Sequence, residues 1–422
     1  MNAFTRLISS AALGLALGVT TLPAVAATPD NMLVIANRID DIITIDPAES
    51  FEFAGSDVSR NVYQRLVYLD PMDLEAGYKP ALAESWEVSE DGKTITFIMR
   101  EGITFESGNP VRAEDAAFSL QRAVILNKTP SFILGQFGFT PENAAEMIKA
   151  DGNKLTITTD KKYATSFILN CLTATIGAIV DKETVMANEV DGDMGYGWLK
   201  SNSAGSGPFS LKAWKANELV TLEANDGYRH GAPGMKRVII LHIAEPSAQR
   251  LMIEKGDVDL ARDLTPDQIE GISGNAELKV QADPKAALIY MAANASDPIL
   301  GNPKVAEALR YLVDYEGMQN SFLSGQFQVH QSAWPDGLWA AYNDAPFKKD
   351  VEKAKALLAE AGYPDGFEIR MDTLNSSPYP QIAQSVQATL AEAGIKASIT
   401  TAEGKTLWPM YRAQKHQLIL AQ

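Results

Sequence analysis

Residues 367–371 read Phe-Glu-Ile-Arg-Met, residues 381–393 read Gln-Ile-Ala-Gln-Ser-Val-Gln-Ala-Thr-Leu-Ala-Glu-Ala, and after Gly394 residues 395–400 read Ile-Lys-Ala-Ser-Ile-Thr. The outer runs alternate apolar and polar side chains, as a strand does. The middle run, entered just after Pro380, repeats its apolar positions at helical spacing and stops at a glycine suited to a left-handed cap. A strand, a helix and a second strand in this order cross over right-handed and pair their strands in parallel. The last third of the chain is therefore α/β. Val351 to Ala361, stopped by Gly362, adds another helix of the same kind, and Val305 to Asp314 is amphipathic with Leu309, Leu312 and Val313 on one stripe.

The remainder alternates strands and helices less regularly. Leu33 to Ile45 alternates loosely and ends at Asp46-Pro47, which reads as an edge-prone strand running into a loop. Ser56 to Leu69 carries Val58, Val62, Leu66 and Val67 at helical spacing. Ser85 to Ser89 and Lys93 to Arg100 flank a turn at Glu90-Asp91-Gly92, the clearest hairpin in the chain. A second aspartate-glycine turn, Asp151-Gly152, precedes Leu155 to Thr158. Between them, Ala113 to Val124 reads as a helix with Glu114 and Asp115 complementing its dipole, although Arg112 is a weak cap. Strands follow at Pro208 to Trp214, Leu219 to Ala224 and Val238 to Ile243, then a helix from Ser247 to Lys255 stopped by Gly256.

The first 27 residues are set apart. One positive charge, Arg6, precedes an apolar run from Leu7 to Val19, and small residues follow at Ala24, Ala26 and Ala27: the layout of a cleaved secretory leader. The run is about a dozen residues long, short of the roughly 20 that a permanent spanning helix needs. No cysteine follows it to carry a lipid. Beyond it lie 36 basic and 53 acidic residues, a net charge of −17 that repels nucleic acid and anionic lipid. The single cysteine, Cys171, sits among apolar neighbours and reads as an inert core thiol. Export without disulfides suits a large Gram-negative periplasmic protein whose cores need no staples. About 395 remaining residues imply two or three compact units, and no linker or short repeat divides them.

Catalytic signatures are missing. The four histidines, His230, His242, His330 and His416, are widely separated and form no metal-ligand pair. No nucleophile elbow, phosphate loop or dinucleotide fingerprint appears, and Gly205-Ser206-Gly207-Pro208 lacks the spacing for one. The reading is a binding protein without cofactor or metal.

The order of several blocks carries a resemblance. Asp46-Pro47 is followed by Asn-Val-Tyr-Gln-Arg-Leu-Val at 61–67, Pro-Ala-Leu-Ala-Glu-Ser-Trp-Glu-Val-Ser-Glu-Asp-Gly-Lys-Thr at 80–94, and Gly-Asn-Pro-Val-Arg-Ala-Glu-Asp-Ala-Ala-Phe-Ser-Leu-Gln-Arg at 108–122. Then come Gly205-Ser206-Gly207-Pro208-Phe209, Gly256-Asp257-Val258-Asp259, and Ala354-Lys355-Ala356-Leu357-Leu358 with Gly362-Tyr363-Pro364. This succession resembles the peptide/nickel/opine class of ABC-transporter solute-binding proteins, family 5, over effectively the whole mature chain.

The resemblance implies an α/β, two-lobed periplasmic-binding-protein fold, type II-like, with an extra N-terminal mixed α/β domain. By analogy, residues 28–49 with 205–285 form the first lobe, 50–204 the extra domain and 286–422 the second lobe, with Ala287 to Asn294 as a hinge crossing. It implies a monomer that captures a di- or oligopeptide or similar solute between the lobes and hands it to ABC permease subunits. It also implies roughly one hundred further residues after Gln422. Directly after the strand at 418–422, relatives tend to have a Trp and an Asp-Tyr-x-x-Pro stretch whose Asp pairs with a peptide's amino group. Without them the second lobe and the ligand site are incomplete.

By position, Phe51, Glu52 and Phe53 line the cleft on one side. Phe132, Trp408 and Arg412 line the other, Arg412 as a carboxylate clamp. An exposed loop, core packing or a solvated helix charge would account for the same residues. Peptide capture would use main-chain hydrogen bonds, as in strand addition. On the same scaffold a nickel chelate, an opine, haem or an oligosaccharide is the nearest competing solute. A periplasmic hydrolase, or a subunit acting on other proteins, stands further off.

Overall fold

The computed structural model describes residues 28–422 apart from positions 284 and 339; the leader lies outside the described residues. The described residues build two mixed sheets of five and four strands, one antiparallel sheet of four strands and a two-stranded ribbon.

The first sheet has the order Leu260–Ala261, Met32–Asn37, Arg237–His242, Leu219–Ala224, Phe209–Lys215. Met32–Asn37 pairs in parallel with both its neighbours, so it is an interior strand and not the edge its loose alternation suggested. A parallel strand flanked on both sides has no consistently wet face, which blurs the period-two pattern. Its core gathers Ile39, Ile45, Val58, Val62, Tyr63, Val220 and Leu222.

The second sheet has the order Tyr290–Ala293, Leu418–Ala421, Glu368–Leu374, Lys396–Ala402. Glu368–Leu374 pairs in parallel with Lys396–Ala402, as the crossover rule requires, and with Leu418–Ala421. The helix Tyr379–Glu392 buries Ile382, Val386 and Leu390 against it. Gly394 takes φ +83° where the chain leaves that helix, and Gly362 takes φ +93° after the helix Val351–Glu360. Tyr290–Ala293, within the stretch read as a hinge crossing, runs antiparallel to Leu418–Ala421 inside this sheet.

The third sheet is an antiparallel ribbon, Ala83–Val88, Thr94–Met99, Lys154–Thr158, Ile148–Asp151, containing both aspartate-glycine turns. The helix Ala113–Leu126 covers it, and Leu82, Ile95, Phe97, Leu120 and Leu155 fill the core between them. Asp115 secures the start of that helix by accepting the Arg112 N–H at 2.8 Å, so the poor cap residue costs little. Cys171 is buried in this core, and burial pushes its thiol up.

The reading of one helix over residues 56–69 needs correction. The helix is Phe53–Val62, and Val67–Leu69 is a strand paired with Tyr78–Pro80. Tyr63 leaves the helix in extended geometry. Val58 and Val62 are then buried on the helix and Leu66 and Val67 beyond it, so the apolar spacing spanned two elements.

Gly205 and Gly207 explain the Gly-Ser-Gly-Pro motif without phosphate chemistry. A Cβ on either would lie 2.0 Å and 2.6 Å from the Val62 carbonyl oxygen; the glycines let this strand lead press on the end of the helix Phe53–Val62.

Candidate functional site

In open α/β sheets, ligands bind beyond the carboxyl ends of parallel strands, where loops diverge and unpaired backbone groups point outward. Here that rule applies to both principal sheets. Met32–Asn37 ends at Arg38; Glu368–Leu374 ends at Asn375; Lys396–Ala402 ends at Glu403 and Gly404. The two ends face one another. Arg38 donates from Nη2 to the Asn375 side-chain oxygen, and a Cβ on Gly404 would sit 3.0 Å from the Asp41 Cβ.

A corner at Asp46-Pro47 directs the chain from the first strand toward the helix Phe53–Val62. Asp46 is completely buried and receives two guanidinium nitrogens of Arg122, at 2.8 and 2.6 Å, while the Arg122 Nε donates to the Met194 carbonyl at 2.7 Å. Every charge-bearing atom of this pair is satisfied, which burial demands.

Beyond the corner, four of the six residues read as cleft-lining, Phe51, Glu52, Phe132 and Arg412, are joined by contacts. Glu52 stands at the N-cap of Phe53–Val62 with its side chain 1% exposed, and Arg412 of the helix Gly404–Arg412 donates to its Oε1 at 2.7 Å. This ion pair spans from one sheet's connections to the other's. The Arg412 guanidinium also lies 5.7 Å from the Phe51 ring centre, and Phe51 meets Phe132 edge-on at 5.8 Å. Phe53 carries the Lys285 ammonium 4.3 Å above its ring.

Phe51, Phe53 and Phe132 are 42, 48 and 59% exposed. Phe132 is therefore not a core residue, and Phe51 and Phe132, in edge-on contact, form an exposed apolar surface. Glu52 and Arg412 hold each other, which rules out both an exposed loop acid and a solvated helix charge. Trp408 is half-buried, 6.4 Å from Tyr411, and packs beside the small cluster of Leu407, Ile419 and Ala421. Its indole Nε1 would lie 3.1 Å from a Cβ on Gly404. A cavity of about 440 Å³ opens beside Phe132, bordered by Asn127, Lys128, Ser131 and Phe139.

Sequence reasoning passed over Arg38, Asp40, Asp41, Lys285, Asn375 and Tyr379. Arg38 pairs with Asp40 at 2.7 and 2.6 Å, and Arg262 pairs with Asp57 at 2.8 Å. Burial pushes the Asp41 carboxyl up to about 6, with Asp40 and Glu52 adding repulsion against the Ala54 N–H that it accepts. Lys285 is lowered by burial, and the Tyr379 hydroxyl is raised by burial and by Asp41. The signal was present: Arg38-Ile39-Asp40-Asp41 is a charged step directly after the first strand.

Among the described residues no three His, Cys, Asp or Glu side chains converge as a metal site, and no helix is long and apolar enough to cross a membrane.

Two principal α/β sheets whose strand ends meet through the Arg38–Asn375 and Glu52–Arg412 contacts are the architecture of a two-lobed α/β protein. The family model for bacterial extracellular solute-binding proteins, family 5 middle, matches residues 77–422, and the chain belongs to that family. It is 28% identical over 392 residues to the glutathione-binding protein GsiB of Salmonella typhi, covering 92% of this chain and 72% of that protein. It is 30% identical over 334 residues to the probable D,D-dipeptide-binding periplasmic protein DdpA of Escherichia coli K12, covering 78% of this chain and 62% of that protein. The fold matches that of DppA from Helicobacter pylori, solved with the peptide STSA, with a TM-score of 0.80 at 24% identity over 92% of this chain and 77% of the other. That likeness identifies the periplasmic-binding-protein architecture. Family members are binding proteins rather than enzymes.

Proposed function

We propose that this protein is the periplasmic solute-binding component of an ABC importer, exported by its leader and monomeric, which captures a small peptide in the gap between its sheets. It delivers the peptide to the membrane permease without breaking a bond in it. The single observation that carries this reading is the cross-gap constellation of Phe51, Phe132 and the Glu52–Arg412 pair at the facing carboxyl ends. The peptide-binding names of GsiB and DdpA support the ligand class.

In this reading the lobes are residues 28–49 with 205–285 and residues 286–422, the extra domain is 50–204, and the crossings between lobes act as the hinge. Phe51, Phe53, Phe132 and Trp408 cover the solute's apolar parts. Arg412 retains guanidinium donors beyond the one given to Glu52 and offers them to a carboxylate. Closure over the solute shifts the population toward the shape the permease reads.

The test is to incubate the purified protein with an equimolar pool of three- to five-residue peptides and to record retained mass by native mass spectrometry and compaction by small-angle scattering. Retained intact peptides with a smaller radius of gyration are the expected result. Cleaved peptides, or tight retention with unchanged scattering, would overturn it.

A further inference from the structure

The helix Ala113–Leu126 ends at Asn127, whose φ of +47° turns the chain into a short bend carrying Lys128, Thr129, Ser131 and Phe132. These residues border the cavity of about 440 Å³ beside Phe132, and its lining has two characters. Val124, Phe132, Phe139 and Pro141 give an apolar side; Asn127, Lys128, Thr129 and Ser131 give a polar one. No acid lines it, although the chain holds 53 acidic residues. Ser131 Oγ donates to Asn127 Oδ1 at 2.8 Å. The Asn127 amide nitrogen, the Thr129 hydroxyl and the Lys128 ammonium make no hydrogen bond or ion pair among the described residues. Lys128 is held instead over the Tyr196 ring, 4.3 Å from its centre, and the Lys200 ammonium lies 4.4 Å from the same ring. The Tyr196 hydroxyl donates to Glu49 at 2.7 Å, which fixes the ring. Two ammoniums therefore gather around one tyrosine that is bonded to a single carboxylate.

We propose that this cavity receives an acidic side arm of the bound solute, so that Lys128 selects ligands bearing a side-chain carboxylate. This rests on the peptide reading above and deepens it. Phe132 borders the cavity and also meets Phe51 edge-on at the gap, so the two spaces adjoin. The three groups left without a protein partner, an ammonium, an amide nitrogen and a hydroxyl, can all donate, and an ionised carboxylate is the side-chain group that only accepts. A carboxamide of the same shape would turn an NH2 group toward further donors. The ring face of Tyr196 attracts the Lys128 charge without using up its three N–H donors, which leaves a charge-assisted hydrogen bond to be made. The apolar side accepts the methylene stem of such an arm. None of these groups belongs to the Glu52–Arg412 pair, so the arm is read separately from any carboxylate that Arg412 holds.

The experiment sets alanine tripeptides carrying one Glu, placed at each position in turn, in competition with the same tripeptides carrying Gln. Their termini and size match, so only the side-chain charge differs. Peptides retained by wild type, Lys128→Gln and Lys200→Gln are released and quantified by mass spectrometry. Because both peptides meet the same molecules, any loss of folded protein leaves their ratio unmoved. Wild type should retain the Glu form of at least one tripeptide over its Gln form by roughly three- to fivefold, the range for a partly exposed ion pair. That ratio should shrink in high salt. Lys128→Gln should bring it to about one, whereas Lys200→Gln, outside the cavity lining, should keep most of it. A wild-type ratio of one throughout, an unchanged ratio in Lys128→Gln, or an equal loss in Lys200→Gln would overturn the proposal and leave peptide binding intact. If no peptide is retained, the peptide reading fails, and sodium phenylacetate decides the cavity. It should raise the wild-type thermal midpoint above that in phenylacetamide at equal ionic strength, and Lys128→Gln should abolish the difference. Identical wild-type midpoints, or a difference that survives in Lys128→Gln, would sink the site as well.

Discussion

Replacing Arg122 with Met tests whether the Asp46 corner is held by its buried ion pair. The side chains of Arg122 and Asp46 are 2 and 0% exposed, and the guanidinium makes three short hydrogen bonds, two to the carboxylate and one to the Met194 carbonyl. Met fills much of the volume of the Arg stem. The loss is therefore mainly electrostatic: Asp46 keeps the Ala48 N–H but is left as a buried anion without its counter-ion. Removing one member of such a pair costs about 3–5 kcal/mol. For a cooperative unit of this size, that lowers a thermal midpoint by roughly 6–15 °C. The chain has several cores, so the midpoint of the transition that includes the 113–126 helix is the quantity to follow, by circular dichroism or scanning calorimetry at pH 7. Arg122→Met with Asp46→Asn removes both charges and should recover at least a third of the single-variant loss. A midpoint for Arg122→Met within about 2 °C of wild type, below what a lost pair predicts, would show that the ion pair does not hold the corner, as would strictly additive losses in the double variant.

Two further outcomes follow from the same kind of argument. Asp41 has its folded-state value raised to about 6, so between about pH 4 and pH 6 the native chain holds more of this proton than the unfolded chain does. Asp41's contribution to stability is then full at low pH and falls as pH rises through that window. The stability of Asp41→Asn relative to wild type should accordingly rise by about 2–3 kcal/mol from pH 4 to pH 7 in urea titrations, and parallel pH profiles would count against it. Gly205→Ala drives a Cβ to 2.0 Å from a backbone carbonyl that cannot swing aside, and should cost at least about 2 kcal/mol. Gly234→Ala, with nothing within 4 Å of its Cβ and no positive φ, should leave the midpoint unchanged; equal effects of the two would remove the packing account of the Gly-Ser-Gly motif.

Much of the fold could be read locally. The parallel pairing of 368–374 with 396–402 followed from periodicity and two capping glycines, because a short crossover leaves few alternatives. The hairpins at 90–92 and 151–152 followed from turn chemistry. The interior place of Met32–Asn37 did not, since its partners lie some two hundred residues further on. Residues 63–69 misled because a helix stripe and a following strand share apolar spacing over one short window. At the site, Phe51, Glu52, Phe132 and Arg412 were nominated by position, and the structure joins them by contacts that no spacing rule contains. Asp41 escaped notice because the burial of its carboxyl is a property of the fold around it, not of its neighbours in sequence.

The turns that follow the parallel strands, at 38–41, 375–378 and 403–404, carry polar groups such as Arg38, Asp40, Asp41 and Asn375, while the sheets behind them carry the hydrophobic cores. Edits to exposed turn residues therefore alter the polar groups at the strand ends while the apolar cores behind them stay as they are. Where a turn residue also holds the frame, as Asp41 does by accepting the Ala54 N–H at the start of the helix Phe53–Val62, an edit to the turn is felt in stability as well.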